Sequence, residues 1–157
     1  MTLQKLRDFL DDHEVKYVTV SHSPAFTTQE VAASAHITGW EMAKTVMVKV
    51  DDRLAMAVVP APAKVDFDRL RDATGATSAG LASEEEFRSL FPKCEVGAMP
   101  PLGNLYDLPV YADSSLENDE QIAFNAGTHH ELIRMSYQDF KRLVQPEVLP
   151  ISNLAPA

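Results

Sequence analysis

The stretch AKTVMVKVDDRLAMAVV, residues 43–59, decides how the rest of the chain is read. Ala43 to Val50 sorts into two sets, Ala43, Thr45, Met47, Lys49 and Lys44, Val46, Val48, Val50, which is the two-residue period of a strand. Leu54 to Val59 is almost wholly apolar, as a strand covered on both faces would be. Asp51-Asp52 between them fits a tight turn, so the pair reads as a hairpin. One residue breaks the pattern. Lys44 shares a face with three valines, and an ammonium group is costly to desolvate without a partner or ligand. Either Lys44 lies at the strand's end and carries its amine out to water along its own methylenes, or it points into a pocket that holds a negative or carbonyl-bearing group. Lys49, on the opposite face, reads as solvated.

Moving outward, Leu3, Leu6, Phe9 and Leu10 fall on one face of a helix that Thr2 can cap, and Tyr17 to Val20 reads as a short strand. Thr27 and Glu30 have capping-box spacing and open a helix that carries Val31 and Ala32 inward and ends before Gly39. Asp66 can cap a short helix through Phe67 and Leu70 that stops near Gly75. Ser83 and Glu86 introduce another through Phe87 and Leu90. Periodicity is lost from Pro92 to Pro109. Val110 to Ala112, Gln121 to Asn125 and His130 to Met135 then read as strands, and Ser136 caps a last helix through Phe140 and Leu143. The order is no strict βαβ alternation. The fold class expected is α/β in the α+β sense: a mixed, largely antiparallel, barrel-like sheet with helices packed outside. Residues 1–157 form one domain, with the tail after about residue 145 loosely attached.

Composition narrows the functions. The 157 residues are 45% hydrophobic and 24% charged, as in an ordinary soluble globule. Fourteen Lys and Arg against 23 Asp and Glu give a formal charge of −9, and no dense basic tract exceeds Lys141-Arg142. Tight, sequence-independent nucleic-acid binding is disfavoured and a DNA partner is not expected, although contact with one end of an RNA stays compatible. Cys94 is alone, so no disulfide framework is expected and the compartment is read as reducing and cytoplasmic. The N-terminus is unlike a signal peptide, and no apolar run approaches the roughly 20 residues that cross a bilayer.

Two further segments stand out. Gly97-Ala98-Met99-Pro100-Pro101-Leu102-Gly103 sets two prolines between glycines, a stiff loop that serves as a rigid crossover or as a main-chain cradle for a developing oxyanion. Asn125-Ala126-Gly127-Thr128-His129-His130 places a turn between two strands. Its adjacent histidines would point to opposite faces, so no metal site is expected. No cofactor is implied. No Gly-x-Ser-x-Gly elbow occurs. His22, His36 and Cys94 show no partner pattern, and Cys94 reads as a half-buried thiol.

Taken in order, Ser21 to Thr27, Ala43-Lys44-Thr45, Gly97 to Gly103 and Phe124-Asn125-Ala126-Gly127 resemble the YbaK/ProX-type aminoacyl-tRNA deacylases, the editing domain inserted in bacterial prolyl-tRNA synthetases and found as freestanding proteins. The resemblance runs from the first helix to about Val144. It implies a barrel-like α/β fold and hydrolysis of the ester joining a small amino acid to the 3′-terminal ribose of tRNA, in support of translation fidelity and without a metal. It makes Lys44 the essential side chain, holding the terminal nucleotide and ester. It puts Gly97 at the scissile bond, and gives Phe26, Thr45, Met99, Pro100, Pro101, Gly103, Asn125, Gly127 and His129 to substrate binding. The partner implied is the 3′ end of an aminoacyl-tRNA, bound weakly or presented by a synthetase or elongation factor. Alanine-specific members carry Lys-Asn where this chain has Lys44-Thr45, and a histidine near the position of Asn125, so the acylated residue is left open among small amino acids. The alternative is a non-catalytic module of the same fold that recognises a nucleotide, a tRNA 3′ end or a synthetase.

Overall fold

A computed structural model of the chain describes residues 3–21, 41–91, 94–95, 97–128 and 131–153. The expected hairpin is its centre. Strands β2 (Ala43–Val50) and β3 (Arg53–Pro60) pair antiparallel, from Ala43 opposite Pro60 to Val50 opposite Arg53. Asp51 and Asp52 both take positive φ, 50° and 65°, the backbone that a tight two-residue hairpin turn demands. Their carboxylates part ways. Asp51 accepts hydrogen bonds from the Thr77 and Ser78 N–H groups, whereas Asp52 lies 3.9 Å from the Lys49 ammonium.

Strands β4 (Ala79–Leu81), β5 (Val110–Asp113) and β8 (Glu147–Leu149) complete a five-stranded sheet in the order β4-β2-β3-β5-β8. Strands β1 (Tyr17–Ser21), β6 (Gln121–Thr128) and β7 (Glu131–Ser136) make a second sheet in the order β1-β7-β6. The β1/β7, β6/β7, β2/β3 and β2/β4 ladders are antiparallel, and β3/β5 and β5/β8 are parallel. Among the described residues the ladders form two sheets joined by one parallel bridge, Met42 to Ala123, rather than a closed ring.

The helices start where their caps lie. Asp66 accepts from the Arg69 N–H to open α2 (Phe67–Thr74), which ends on Gly75 at φ 70°. The Ser83–Glu86 capping box opens α3 (Glu84–Phe87), shorter than expected because the chain tightens into a 3-10 turn over Arg88–Leu90. Ser136 caps α4 (Tyr137–Val144), and α1 covers Leu3–Asp12. The helix expected from Thr27 lies outside the described residues. Lys49 is ion-paired to Glu86 at 2.7 Å rather than simply solvated.

Alternation along the strands creates two apolar faces. Ala43, Met47, Met56, Val58, Phe124, Ile133 and Met135 point into an interior that Leu6, Leu10, Tyr137 and Phe140 close from α1 and α4. On the reverse face Val48, Ala55, Ala57 and Val59 pack with Leu70 of α2 and with Ile151. The last contact overturns the expectation of a loosely attached tail, as far as residue 153. Its cause is Asp113, a fully buried carboxylate that accepts from the Ile151 and Ser152 N–H groups at 2.9 Å and from Ser152 Oγ at 3.0 Å, and that also bonds Ser115. A buried donor stripped of its acceptor costs about 1–3 kcal/mol. Asp113→Ala therefore lowers the unfolding free energy by about 3 kcal/mol in a denaturant titration and exposes the chain after Leu149 to protease; a variant as stable as the wild type would show that the carboxylate does not hold this strap.

Candidate functional site around Lys44

Lys44 enters β2 two residues after the bridge that joins the sheets. Bridge partners share a face, and Met42 and Ala123 are packed together with Ala61 and Leu132. Two residues further along each parallel strand, the same face carries Lys44 on β2 and Asn125 on β6. On this reverse face Val48 and Val59, the latter opposite Lys44, are packed with Leu70 of α2 and with Ile151. Lys44 is half-buried and lines a cavity of about 260 Å³ together with Val46, Lys64, Val65, Phe67 and Leu81. Burial first, and the neighbouring Lys64 ammonium second, push Lys44 below the ordinary lysine value of 10.5. Among the described residues no carboxylate lines the cavity and Lys44 makes no ion pair.

The proline loop sits on the other side of β6. Glu95 N–H donates to the Gly127 carbonyl at 2.8 Å, and Gly127 N–H donates to the Ala98 carbonyl at 2.9 Å. This exchange interrupts the β6/β7 register between Asn125 and Thr128, and both glycines take left-handed φ, 84° at Gly97 and 97° at Gly127. Ala98 N–H donates to the Glu95 carbonyl, so that group is taken. The N–H groups of Gly97 and Met99 have no acceptor among the described residues. Met99, Pro100 and Pro101 are buried, Met99 in the interior core, so the loop presents main chain rather than side chains at Gly97. Gly103 is needed for packing: a Cβ there would lie 2.6 Å from the Leu108 carbonyl oxygen and from Val110 Cγ2.

Thr45 alternates to the interior face, opposite to Lys44. Its hydroxyl, the Asn125 Oδ1 and the Thr128 hydroxyl are buried without a hydrogen-bond partner among the described residues. Orphaned buried polar atoms are uncommon in folded proteins and call for a partner. The structure thus joins the loop to Gly127 through main-chain bonds, two residues beyond Asn125 on β6, and sets Lys44 on the same face as Asn125. It does not put Lys44 and the loop in one cavity. Phe26, His129, His22 and His36 lie outside the described residues. Cys94 is half-buried, as read from the sequence. Among the described residues no group of three or more His, Cys, Asp or Glu could hold a metal ion, and no helix is long and apolar enough to cross a membrane.

Lys64 escaped the sequence reading. Its signal was the hairpin register: with Ala43 opposite Pro60, the segment leaving β3 passes the end of β2 where Lys44 stands.

Residues 22–143 match the model of the aminoacyl-tRNA editing domain. The proline–tRNA ligase of Bacillus cytotoxicus is 34% identical over 116 residues, covering 72% of this chain, which spans only 20% of that ligase. The multifunctional Ser/Thr-tRNA deacylase ProXp-y of Escherichia coli K12 is 28% identical over 160 residues, covering 99% of this chain and 95% of the relative. Among solved structures, the hypothetical protein APE2540 superposes with a TM-score of 0.84 at 18% identity, covering 95% of this chain and 99% of the other, a likeness of fold alone. On the family match over most of its length, the chain belongs to the aminoacyl-tRNA editing domain family.

Proposed function

We propose that this chain hydrolyses the ester between a small amino acid and the 3′-terminal ribose of a mischarged tRNA, acting in trans on tRNA charged elsewhere. The observation that carries the reading is Lys44: an ammonium group half-buried beside a hollow, without a carboxylate to neutralise it among the described residues, on the same face as the buried amide of Asn125. The relative that matches nearly end to end is a Ser/Thr-tRNA deacylase, which supports the same substrate class.

The chemistry asks little of the protein. Water adds to the ester carbonyl, the acyl carbon–oxygen bond breaks, and the products are the free amino acid and the ribose hydroxyl, which takes the proton water gives up. An aminoacyl ester is already activated, so fixing its geometry and stabilising the oxyanion can suffice. Lys44 holds the terminal nucleotide from its hollow, the ester reaches past Asn125 and Gly127 of β6, which frame the acyl group, and the main chain at Gly97 beyond them is assigned the developing negative charge. Phe26, Thr45, Pro100, Pro101, Gly103 and His129 complete the proposed substrate contacts and their support. The vicinal ribose hydroxyl assists, so no protein base is required. A methylene is worth only about 1–3 kcal/mol in a binding pocket, which is why a synthetase needs a second, smaller sieve. A charge of −9 leaves the body of the tRNA weakly held, to be presented by a synthetase or elongation factor.

Two measurements test this. Incubated with a panel of mischarged tRNAs, the wild type releases one or more small amino acids, and Lys44→Ala slows that release by about tenfold or more without lowering the melting temperature. Release of none of them by the wild type contradicts the enzyme and leaves the binding module. The pH dependence follows from the charge. The protonated amine is the form that holds an anionic 3′ end, so affinity is full at neutral pH and is lost as pH rises through a value below 10.5. Lys44→Arg keeps its charge and carries the alkaline loss to higher pH; identical profiles for the two proteins would detach the effect from Lys44.

A further inference from the structure

The hollow beside β2 holds two cations, and only one has been given a task. Lys64 faces Lys44 across it, and among the described residues neither is ion-paired. Lys49, Arg69, Arg71, Arg88, Arg134, Lys141 and Arg142 all lie within 4 Å of a carboxylate. Arg7, Lys16 and Arg53 make no ion pair among the described residues and, like Lys64, are exposed. What sets the hollow apart is that it brings two ammonium groups together with one of them, Lys44, half-buried.

Lys64 is also held in place. Its N–H donates to Asn153 Oδ1 at 2.9 Å, and its carbonyl accepts from the Asn153 N–H at 3.0 Å. The next residue, Val65, bridges to Ser152, which Asp113 anchors from the buried side. The nearest carboxylate along the chain, Asp66, is turned away: it caps α2 at the Arg69 N–H and lies 3.8 Å from the Arg69 guanidinium. The strap thus fixes the main chain from which Lys64 faces Lys44, and the helix cap keeps the adjacent negative charge occupied.

We propose that this hollow is a phosphate subsite, in which Lys64 and Lys44 together take the phosphodiester that precedes the terminal nucleoside of an RNA 3′ end. An anion between them removes their mutual repulsion and gains two charge-assisted contacts. At about 260 Å³ the cavity is below the roughly 300 Å³ at which drug-sized pockets begin, so it takes a phosphate and part of a ribose rather than a whole nucleotide. Phe67 and the 68% exposed Leu81 line it, giving the sugar and base an apolar surface to lie against. The assignment to RNA rests on the deacylase reading; the pairing of the two lysines does not.

The test is binding, which needs no ester cleavage. The trinucleotide CpCpA and phosphate-free adenosine are titrated into the full chain over a range of salt. Lys64→Gln weakens CpCpA by about fivefold or more and reduces the slope of log affinity against log salt by about 0.7, the loss of one phosphate contact to a single strand. Adenosine affinity changes by less than about twofold, and Lys64→Arg retains the wild-type affinity for CpCpA. Wild-type protein that fails to bind CpCpA at millimolar concentration overturns the subsite, as does Lys64→Gln that binds it unchanged or loses adenosine equally. Loss of CpCpA binding in a protein that releases no amino acid from any tRNA would refute the deacylase while leaving the subsite standing.

Discussion

Glu41 holds the two sheets together twice. Its carbonyl accepts the Ala123 N–H at 3.0 Å, and its carboxylate pairs at 2.9 Å with Arg134, the β7 residue opposite Ala123. The ion pair is partly exposed and is worth at most about 1 kcal/mol. Its importance is positional. The seam sets β2 and β6 side by side in parallel for a short distance, and from there Lys44 and Asn125 fall on one face. The C-terminal half of β2 is then bordered by β4, with Val48 opposite Leu81. Lys44 stands between these two borders, where the strand's edge has neither ladder beside it.

This explains how a lysine survives on a valine face. Covered fully, its ammonium would meet a desolvation cost of several kcal/mol without a counter-charge. Left on the surface, it would be one more solvated cation. At the margin of α2 it is half-covered, so its charge is felt strongly by whatever enters the hollow while water still reaches it. The Asp113 strap works at the same place from the other side, since it fixes the main chain of Lys64. A buried carboxylate in the C-terminal fold and a cation at the candidate site are therefore parts of one arrangement.

Much of this was legible in the sequence where local rules decide. The hairpin, the caps at Asp66, Ser83 and Ser136, and the two-faced character of β2 follow from period and capping chemistry. Lys44 announced itself by breaking the period. Long-range partners were not legible. The seam at Met42, the parallel pairing of β5 with β3 and β8, and the capture of Ile151 and Ser152 depend on which elements meet in space. The tail looked unanchored because Asp113, the residue that holds it, is some forty positions away and resembles any other strand-end aspartate. Lys64 could have been found only by setting the hairpin register, which carries the segment after Pro60 past the end of β2. The two prolines predict a stiff loop, but the residues that bond its Ala98, Glu95 and Gly127, come from its flank and from another strand, and only the fold brings Gly127 there.

The central claim is that the Lys44 amine meets the aminoacylated end of RNA in the hollow on this face. A crystal structure with an adenosine 5′-phosphate analogue, its amino acid joined to the ribose by a stable amide, tests it most directly. The account predicts the acyl and ribose groups beside Asn125 with Lys44 Nζ in hydrogen-bond contact with the ligand. Density for the ligand elsewhere on the chain, with that amine pointing into bulk solvent, would contradict it.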